Sequence, residues 1–145
     1  MKFRIAKRSD FNLLWNILTT TPELQSDSEG DTYDKAWLKE VLSTPKENLV
    51  LIAEEKDGFI GFGIVHYLKS VKQSLINDLF IVKEYRKKGI ASKFMKKFEK
   101  DAKKKSFRYV TGFVRTNNKK MQKLKEKLGY KKGNSFYFFE KKIGN

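Results

Sequence analysis

No cysteine occurs among the 145 residues. That excludes disulfides, thiolate metal sites and cysteine nucleophiles, and it accords with a cytoplasmic protein. Histidine is reduced to one residue, and no metal site is expected. No apolar run approaches the 18 or so residues of a membrane span, and the opening Met1-Lys2-Phe3-Arg4-Ile5 lacks the apolar stretch of a secretory signal. Repeats, low-complexity tracts and Pro/Gly/Ser-rich linkers are missing too, so a single domain over residues 1–145 is the expectation. Composition argues against disorder: 39% of residues are hydrophobic and 14% aromatic.

Acid is the other scarcity. There are 17 acidic residues against 32 basic ones, a net charge of +15. Such a balance suits an anionic partner: nucleic acid, a membrane surface or a phosphorylated ligand. Yet only Arg4, Arg8, Arg86, Arg108 and Arg115 are arginines. A lysine excess of this kind also follows from compositional bias and solubilises a surface.

Hydrophobic periodicity alternates between strand and helix. Residues 2–6 read as a short strand, and Ser9-Asp10 opens a helix carrying Phe11, Leu14, Ile17 and Leu18, with Asp10 as its N-cap. A second helix runs from Tyr33 to Leu42. Strands over 48–55 and 59–68 flank Lys56-Asp57-Gly58, a hairpin signal. A strand over 74–82 sets Leu75, Asn77, Leu79 and Ile81 on one face against Ile76, Asp78, Phe80 and Val82 on the other. A helix over 89–104 has the stripe Ala91, Phe94, Met95, Phe98, Ala102. A strand over 107–114, a helix from Asn118 to Leu128 stopped by Gly129, and a last strand over 135–140 complete the chain. The order β-α-α-β-β-β-α-β-α-β predicts an α/β (α+β) domain with a mixed, mostly antiparallel, twisted sheet flanked by helices.

Chemistry concentrates where the strand over 74–82 gives way to the following helix. The turn Arg86-Lys87-Lys88-Gly89 brings formal positive charge to a helix N-terminus, whose unpaired N–H groups already favour anions. Gly89 permits close backbone approach. This is a pyrophosphate cradle, and it is neither a P-loop nor a GxGxxG turn.

Arg86-x-x-Gly89-Ile90-Ala91, preceded by Ile81 at a strand end, resembles the acetyl-coenzyme A signature of the GNAT N-acetyltransferases, (R/Q)-x-x-G-x-(G/A). The segment from Asn118 through Met121, Leu124 and Leu128 to Gly129-Tyr130 is similar to that family's later helix, and the element order matches the domain throughout. The resemblance implies acetyl-coenzyme A as co-substrate and a monomer or homodimer acting on a small-molecule or protein amine. It implies that amides of Lys87, Lys88, Gly89, Ile90, Ala91 and Ser92 hold the pyrophosphate. Backbone groups of Phe80, Ile81 and Val82 would pair with the pantetheine arm as an added strand. An amide near Ile81 would face the thioester oxygen, and Asn118 would reach the coenzyme unless it serves only as an N-cap.

An alkyl ammonium, with a pKa near 10.4, must lose a proton before it can attack. Relatives often use an acid on the strand before the motif; Asp78 is the acid there, next to Asn77. The family often places a tyrosine on the later helix as proton donor to the thiolate, and here that position is Lys125. Lys125, Tyr130, Tyr109 or water could donate instead. His66 titrates in a useful range, and Tyr33 and Trp37 could line an acceptor pocket or simply belong to the core. Between Thr21 and Glu40, six acids (Glu23, Asp27, Glu29, Asp31, Asp34, Glu40) face two bases (Lys35, Lys39). This acidic island suggests a cationic acceptor such as a polyamine, a lysine side chain or a protein N-terminus. The competing reading is a basic nucleic-acid- or ribosome-binding module with a degenerate coenzyme site, favoured by the charge and by Lys103-Lys104-Lys105.

Overall fold

The hairpin expected at Lys56-Asp57-Gly58 lies at the centre of the sheet. In a computed structural model, which describes residues 1–24 and 33–144, β2 (Asn48–Glu55) and β3 (Gly58–Leu68) pair antiparallel, with Gly58 at φ 123°. On one side β2 takes β1 (Lys2–Ile5); on the other β3 takes β4 (Gln73–Ile81), both antiparallel. β5 (Tyr109–Gly112) joins β4 in parallel, which requires a crossover, and α3 (Ile90–Lys104) supplies it. The order among the described residues is β1-β2-β3-β4-β5.

Alternating side chains divide the sheet between two apolar layers. α3 lays Ile90, Phe94, Met95, Phe98 and Ala102 on one face, against Leu49, Leu51, Ala53, Ile60, Val65 and Tyr67. Ala91, expected in that stripe, is only half-buried. A Cβ at Gly63 would come within 2.4 Å of the Phe98 ring, so that ring packs there only because position 63 has no side chain. α1 (Phe11–Thr20) and α2 (Lys35–Ser43) cover the other face, where Leu14, Leu18, Leu38 and Val41 meet Val50, Ile52, Phe62 and Ile64.

Three expectations need correction. Asp10 occupies the N-cap position of α1 but makes no side-chain cap; its carboxylate instead accepts both terminal nitrogens of the Arg4 guanidinium, at 2.8 and 2.9 Å, and the Lys7 N–H at 2.7 Å. The alternation in β4 slips by one residue at Asn77, as described below. The strand expected over 135–140 does not form: residues 131–144 carry no regular secondary structure, and Phe136, Tyr137, Phe138 and Phe139 are 77–90% exposed. By contrast α4 (Lys119–Lys127) starts and stops where its caps predict. Asn118 Oδ1 accepts the Met121 N–H, and Gly129 at φ 91° closes the helix with the Gly129 N–H on Glu126 and the Tyr130 N–H on Lys125.

Candidate functional site

One extra residue in β4 organises the site. Ile64 pairs with Asp78 and Val65 with Ile76, leaving Asn77 as a bulge. In an unbroken ladder Asp78 would share Ile76's face. The bulge turns Ile76, Leu79 and Ile81 to the α3 layer and Asp78 and Phe80 to the α1/α2 side. The β4–β5 ladder ends at the same place, with Ile76↔Gly112 as its last rung. From Asn77 onward β4 therefore keeps β3 on one edge and, among the described residues, no strand on the other.

Backbone direction along that free edge follows from the register. The Val82 N–H donates to Ile60 at 2.9 Å, and the Val82 carbonyl accepts from Tyr85 at 3.0 Å. Alternation then directs the Ile81 N–H away from β3, toward the free edge, and the Phe80 N–H back to β3. Of the residues expected to pair with the pantetheine arm, Val82 has both backbone groups engaged and Phe80 turns to β3, which leaves Ile81 facing the free edge.

The strand passes through a single 3-10 turn (Lys83–Tyr85) into the basic segment. Lys87 at φ 62° and Gly89 at φ 75° both adopt left-handed backbone. No side chain caps α3, whose first intrahelical bond is the Lys93 N–H to Gly89. The N–H groups of Ile90, Ala91 and Ser92 thus face outward at the positive end of the helix. A Cβ built at Gly89 meets nothing within 4 Å, so space lies open above the turn. Arg86 does not project as a free charge: its Nε donates to the Ile81 carbonyl at 2.8 Å, and its guanidinium lies 5.8 Å from the Phe80 ring centre. Lys88 folds over Tyr85, and Lys87 is exposed.

Asp78 is 4% exposed. It accepts from the Tyr33 hydroxyl at 2.8 Å and from Asn77 Nδ2 at 2.7 Å. Burial raises its pKa, and the two donors oppose that rise. Burial and the Asp78 charge push the Tyr33 phenol well up, so it stays a donor. Tyr33 stacks on Trp37 at 4.6 Å, and Trp37 meets His66 edge-on at 6.0 Å. His66 Nδ1 pairs with Asn48 Oδ1, and burial lowers its pKa. The structure thus brings Asp78, Tyr33, Trp37 and His66 into one cluster on the α1/α2 side. Nothing local in the sequence signals the contact of Tyr33 with a residue 45 positions away.

Lys125 reaches the point where β4 and β5 part: a Cβ at Gly112 would lie 2.7 Å from its Nζ. Its ammonium sits 5.6 Å from the Tyr130 ring centre, and burial lowers its pKa. Burial and the Glu99 carboxylate raise the Tyr130 phenol, whose buried oxygen has no partner at full hydrogen-bond geometry. Tyr109 is largely exposed at the start of β5, away from that parting. Of the acidic island, Asp27, Glu29 and Asp31 lie outside the described residues. Asp34 caps α2 through the Ala36 N–H, and Glu23 and Glu40 are exposed. Neither of two surface depressions, one lined by Met1, Lys2 and Glu54 to Asp57, the other by Phe3 and α3 lysines, touches Asp78 or the 86–92 turn. Among the described residues no three His, Cys, Asp or Glu side chains cluster as metal ligands.

Comparison with known proteins agrees with this fold. The sequence model of the acetyltransferase (GNAT) family matches residues 11–130. An uncharacterized N-acetyltransferase of Bacillus subtilis, YhfO, is 28% identical over 143 residues, covering 96% of this chain and 95% of its own. The fold is similar to that of the aminoglycoside enzyme AAC(6')-Iy, solved with a coenzyme A bisubstrate analogue (TM-score 0.76, 17% identity, 98% of both chains). It is also similar to a ribosomal-protein-alanine N-acetyltransferase of Brucella melitensis (TM-score 0.74, 15% identity, 96% and 97% of the two chains).

Proposed function

This chain belongs to the acetyltransferase (GNAT) family and is an N-acetyltransferase, and we propose that it acetylates a primary amine carried by a cationic acceptor, using acetyl-coenzyme A. One observation supports the placement of the coenzyme above others: the free edge of β4 leads, through one 3-10 turn and the basic Arg86–Gly89 turn, to the uncapped start of α3. Amides from Lys87 to Ser92 would receive the pyrophosphate, with Gly89 leaving room for it. Arg86 would fix that turn to the strand end through Ile81. The bound coenzyme supplies an acetyl group activated as a thioester. The Ile81 N–H faces the edge along which that group would lie, and it is suited to polarise a carbonyl oxygen.

Asp78 would take the proton of the incoming ammonium. Its burial favours the protonated carboxyl, so the proton it accepts is well held. Lys125, at the parting of β4 and β5, would hand a proton to the departing thiolate; Tyr130 stands behind it, and Asn118 serves chiefly to start α4. The stacked rings of Tyr33 and Trp37 beside a carboxylate suit a cation. Calorimetry with acetyl-coenzyme A, followed by thiol release over a panel of amines, tests the reading. Binding with turnover on polyamines or lysine peptides is the expected result; no binding at millimolar coenzyme overturns it.

A second reading, docking of a polyanion, is favoured by the exposed lysines along α3 (Lys93, Lys96, Lys97, Lys100, Lys104). A gel shift with RNA that weakens steeply with salt would support it.

A further inference from the structure

Lysines at 119, 120, 123, 125 and 127 line α4. All are exposed except Lys125, which is half-buried. Its Nζ fills a notch in the backbone at the last β4–β5 rung, left there because Gly112 has no side chain. A Cβ at that position would lie 2.7 Å from Nζ and 3.4 Å from the Ile76 carbonyl oxygen. The Tyr130 ring is its other neighbour, 5.6 Å away. Among the described residues no carboxylate pairs with this ammonium. Burial therefore acts unopposed, and it favours the free amine. A desolvated lysine without a counter-charge is a nucleophile, whereas its exposed neighbours on α4 stay hydrated and charged.

The notch opens where the edge of β4 becomes free. A coenzyme with its pyrophosphate at the 86–92 turn, as proposed above, would run back along that edge from Ile81, with its acetyl end toward the parting of β4 and β5. The alternation that turns the Ile81 N–H outward turns the Leu79 N–H outward as well, because Phe80 between them faces β3. Leu79 stands three residues beyond Ile76, one of them the bulge, a span of about 7–10 Å at roughly 3.3 Å per residue. A thioester that has reached the Leu79 amide is within the swing of a flexible four-carbon stem rooted beside Gly112.

We infer that Lys125 is a self-acetylation site: when no acceptor amine is bound, its Nζ attacks the acetyl carbonyl of the acetyl-coenzyme A held by its own chain. The nitrogen lone pair forms the N–C bond and the C–S bond breaks. The nitrogen passes its surplus proton to the departing thiolate, which leaves acetyl-lysine and free coenzyme. Self-acetylation rests on the coenzyme placement proposed above and deepens it. The product has lost both the charge and the proton that Lys125 would give the thiolate in turnover. Coenzyme left without an acceptor thus switches the site down.

The test incubates the full chain with acetyl-coenzyme A carrying an isotopically labelled acetyl group, without amine, and reads each lysine by peptide mass spectrometry. Lys125 should label roughly ten times faster than Lys123 or Lys127, since each unit by which a pKa falls enriches the free amine about tenfold. Its rate constant should not change with chain concentration, as for a reaction within one chain. Gly112→Ala puts a methyl group in the notch and displaces only the flexible end of Lys125. In that variant labelling should fall to the level of Lys123, with far-ultraviolet circular dichroism and coenzyme affinity unchanged. Calorimetry on the same samples separates this inference from the proposal it rests on. Coenzyme that binds while Lys125 labels no faster than Lys123 overturns self-acetylation alone; no binding at millimolar coenzyme removes both. Labelling that accelerates with chain concentration, one chain acetylating another, also overturns it.

Discussion

The Tyr33 hydroxyl donates to Asp78 across 2.8 Å, linking the entrance of α2 to the one buried carboxylate in the sheet. Because the phenol's own pKa is pushed far up, it stays protonated and the bond persists through the working pH range. If Asp78 is the base, its neutral form is favoured by burial, its charged form by Tyr33 and Asn77. Asp78→Asn should lower kcat by about 10²–10⁴-fold, the usual range for a positioned acid–base group, with coenzyme affinity unchanged by calorimetry. Its thermal midpoint at pH 7 should hold or rise, because a carboxylate with a raised pKa is a net burden above its ordinary titration range. Wild-type turnover would leave Asp78 a structural role only.

Tyr33→Phe gives a distinguishable result. Removing a donor that stabilises the carboxylate raises the Asp78 pKa further, so the acidic limb of the kcat/KM profile should move to higher pH. A lower plateau with an unmoved limb would mean that Tyr33 only shapes the acceptor site.

At Gly89 the backbone is left-handed and the space above it empty. Gly89→Ala should fold, at a cost of about 1–2 kcal/mol for the positive φ, and keep most coenzyme affinity. Gly89→Glu adds a carboxylate where the pyrophosphate is proposed to sit, and affinity should fall at least tenfold. Equal affinity in the two variants would move the phosphate site elsewhere.

His66 makes an acid-sensitive contribution. Burial lowers its folded pKa below the ordinary value of 6.5, so as pH falls through that value the unfolded chain binds a proton that the folded chain resists. Stability should decline from pH 7.5 to 5.5. In His66→Gln that component disappears, and the difference in melting temperature between the two proteins should shrink as pH falls. A constant difference would show that His66 titrates alike in both states.

For the acceptor, polyamines and lysine-rich peptides should exceed neutral amines in kcat/KM at low salt, and the advantage should shrink as salt rises. Asp27→Asn, Glu29→Gln and Asp31→Asn together should reduce the preference without altering coenzyme binding. Equal turnover of an anionic amine by the wild type would remove the cationic-acceptor proposal.

The parts legible in the sequence are those set by local chemistry. The β2–β3 hairpin, the α3 stripe and both ends of α4 follow from turn residues, period and caps, and the glycine and charge of Arg86 to Ala91 mark the turn where the pyrophosphate is proposed to sit. What escaped reading depends on distant partners. Asp10 has the composition of a cap, but the Arg4 guanidinium across the β1–α1 turn wins its carboxylate. Strict alternation put Ile76 on the face of Asp78, and the bulge at Asn77 parts them; it could not be foreseen because a bulge is a property of two strands and β4 is only one of them. The arm at 135–140 has strand composition, but composition does not make a strand without a neighbour, and no described strand lies beside it.

The single extra residue in β4 has a consequence for how such a site can arise or vanish. Excising Asn77 would restore an unbroken register, Ile64 with Asp78 and Val65 with Ile76 in direct succession, and every other side chain of the strand would keep its present face. Both apolar layers would survive the deletion. Only the bend would go, and β5 could then zip past Gly112 along the straightened strand and seal the edge on which the coenzyme is proposed to lie. One codon, neutral to the core, thus stands between an ordinary closed sheet and the open edge proposed to take the coenzyme as though it were another strand.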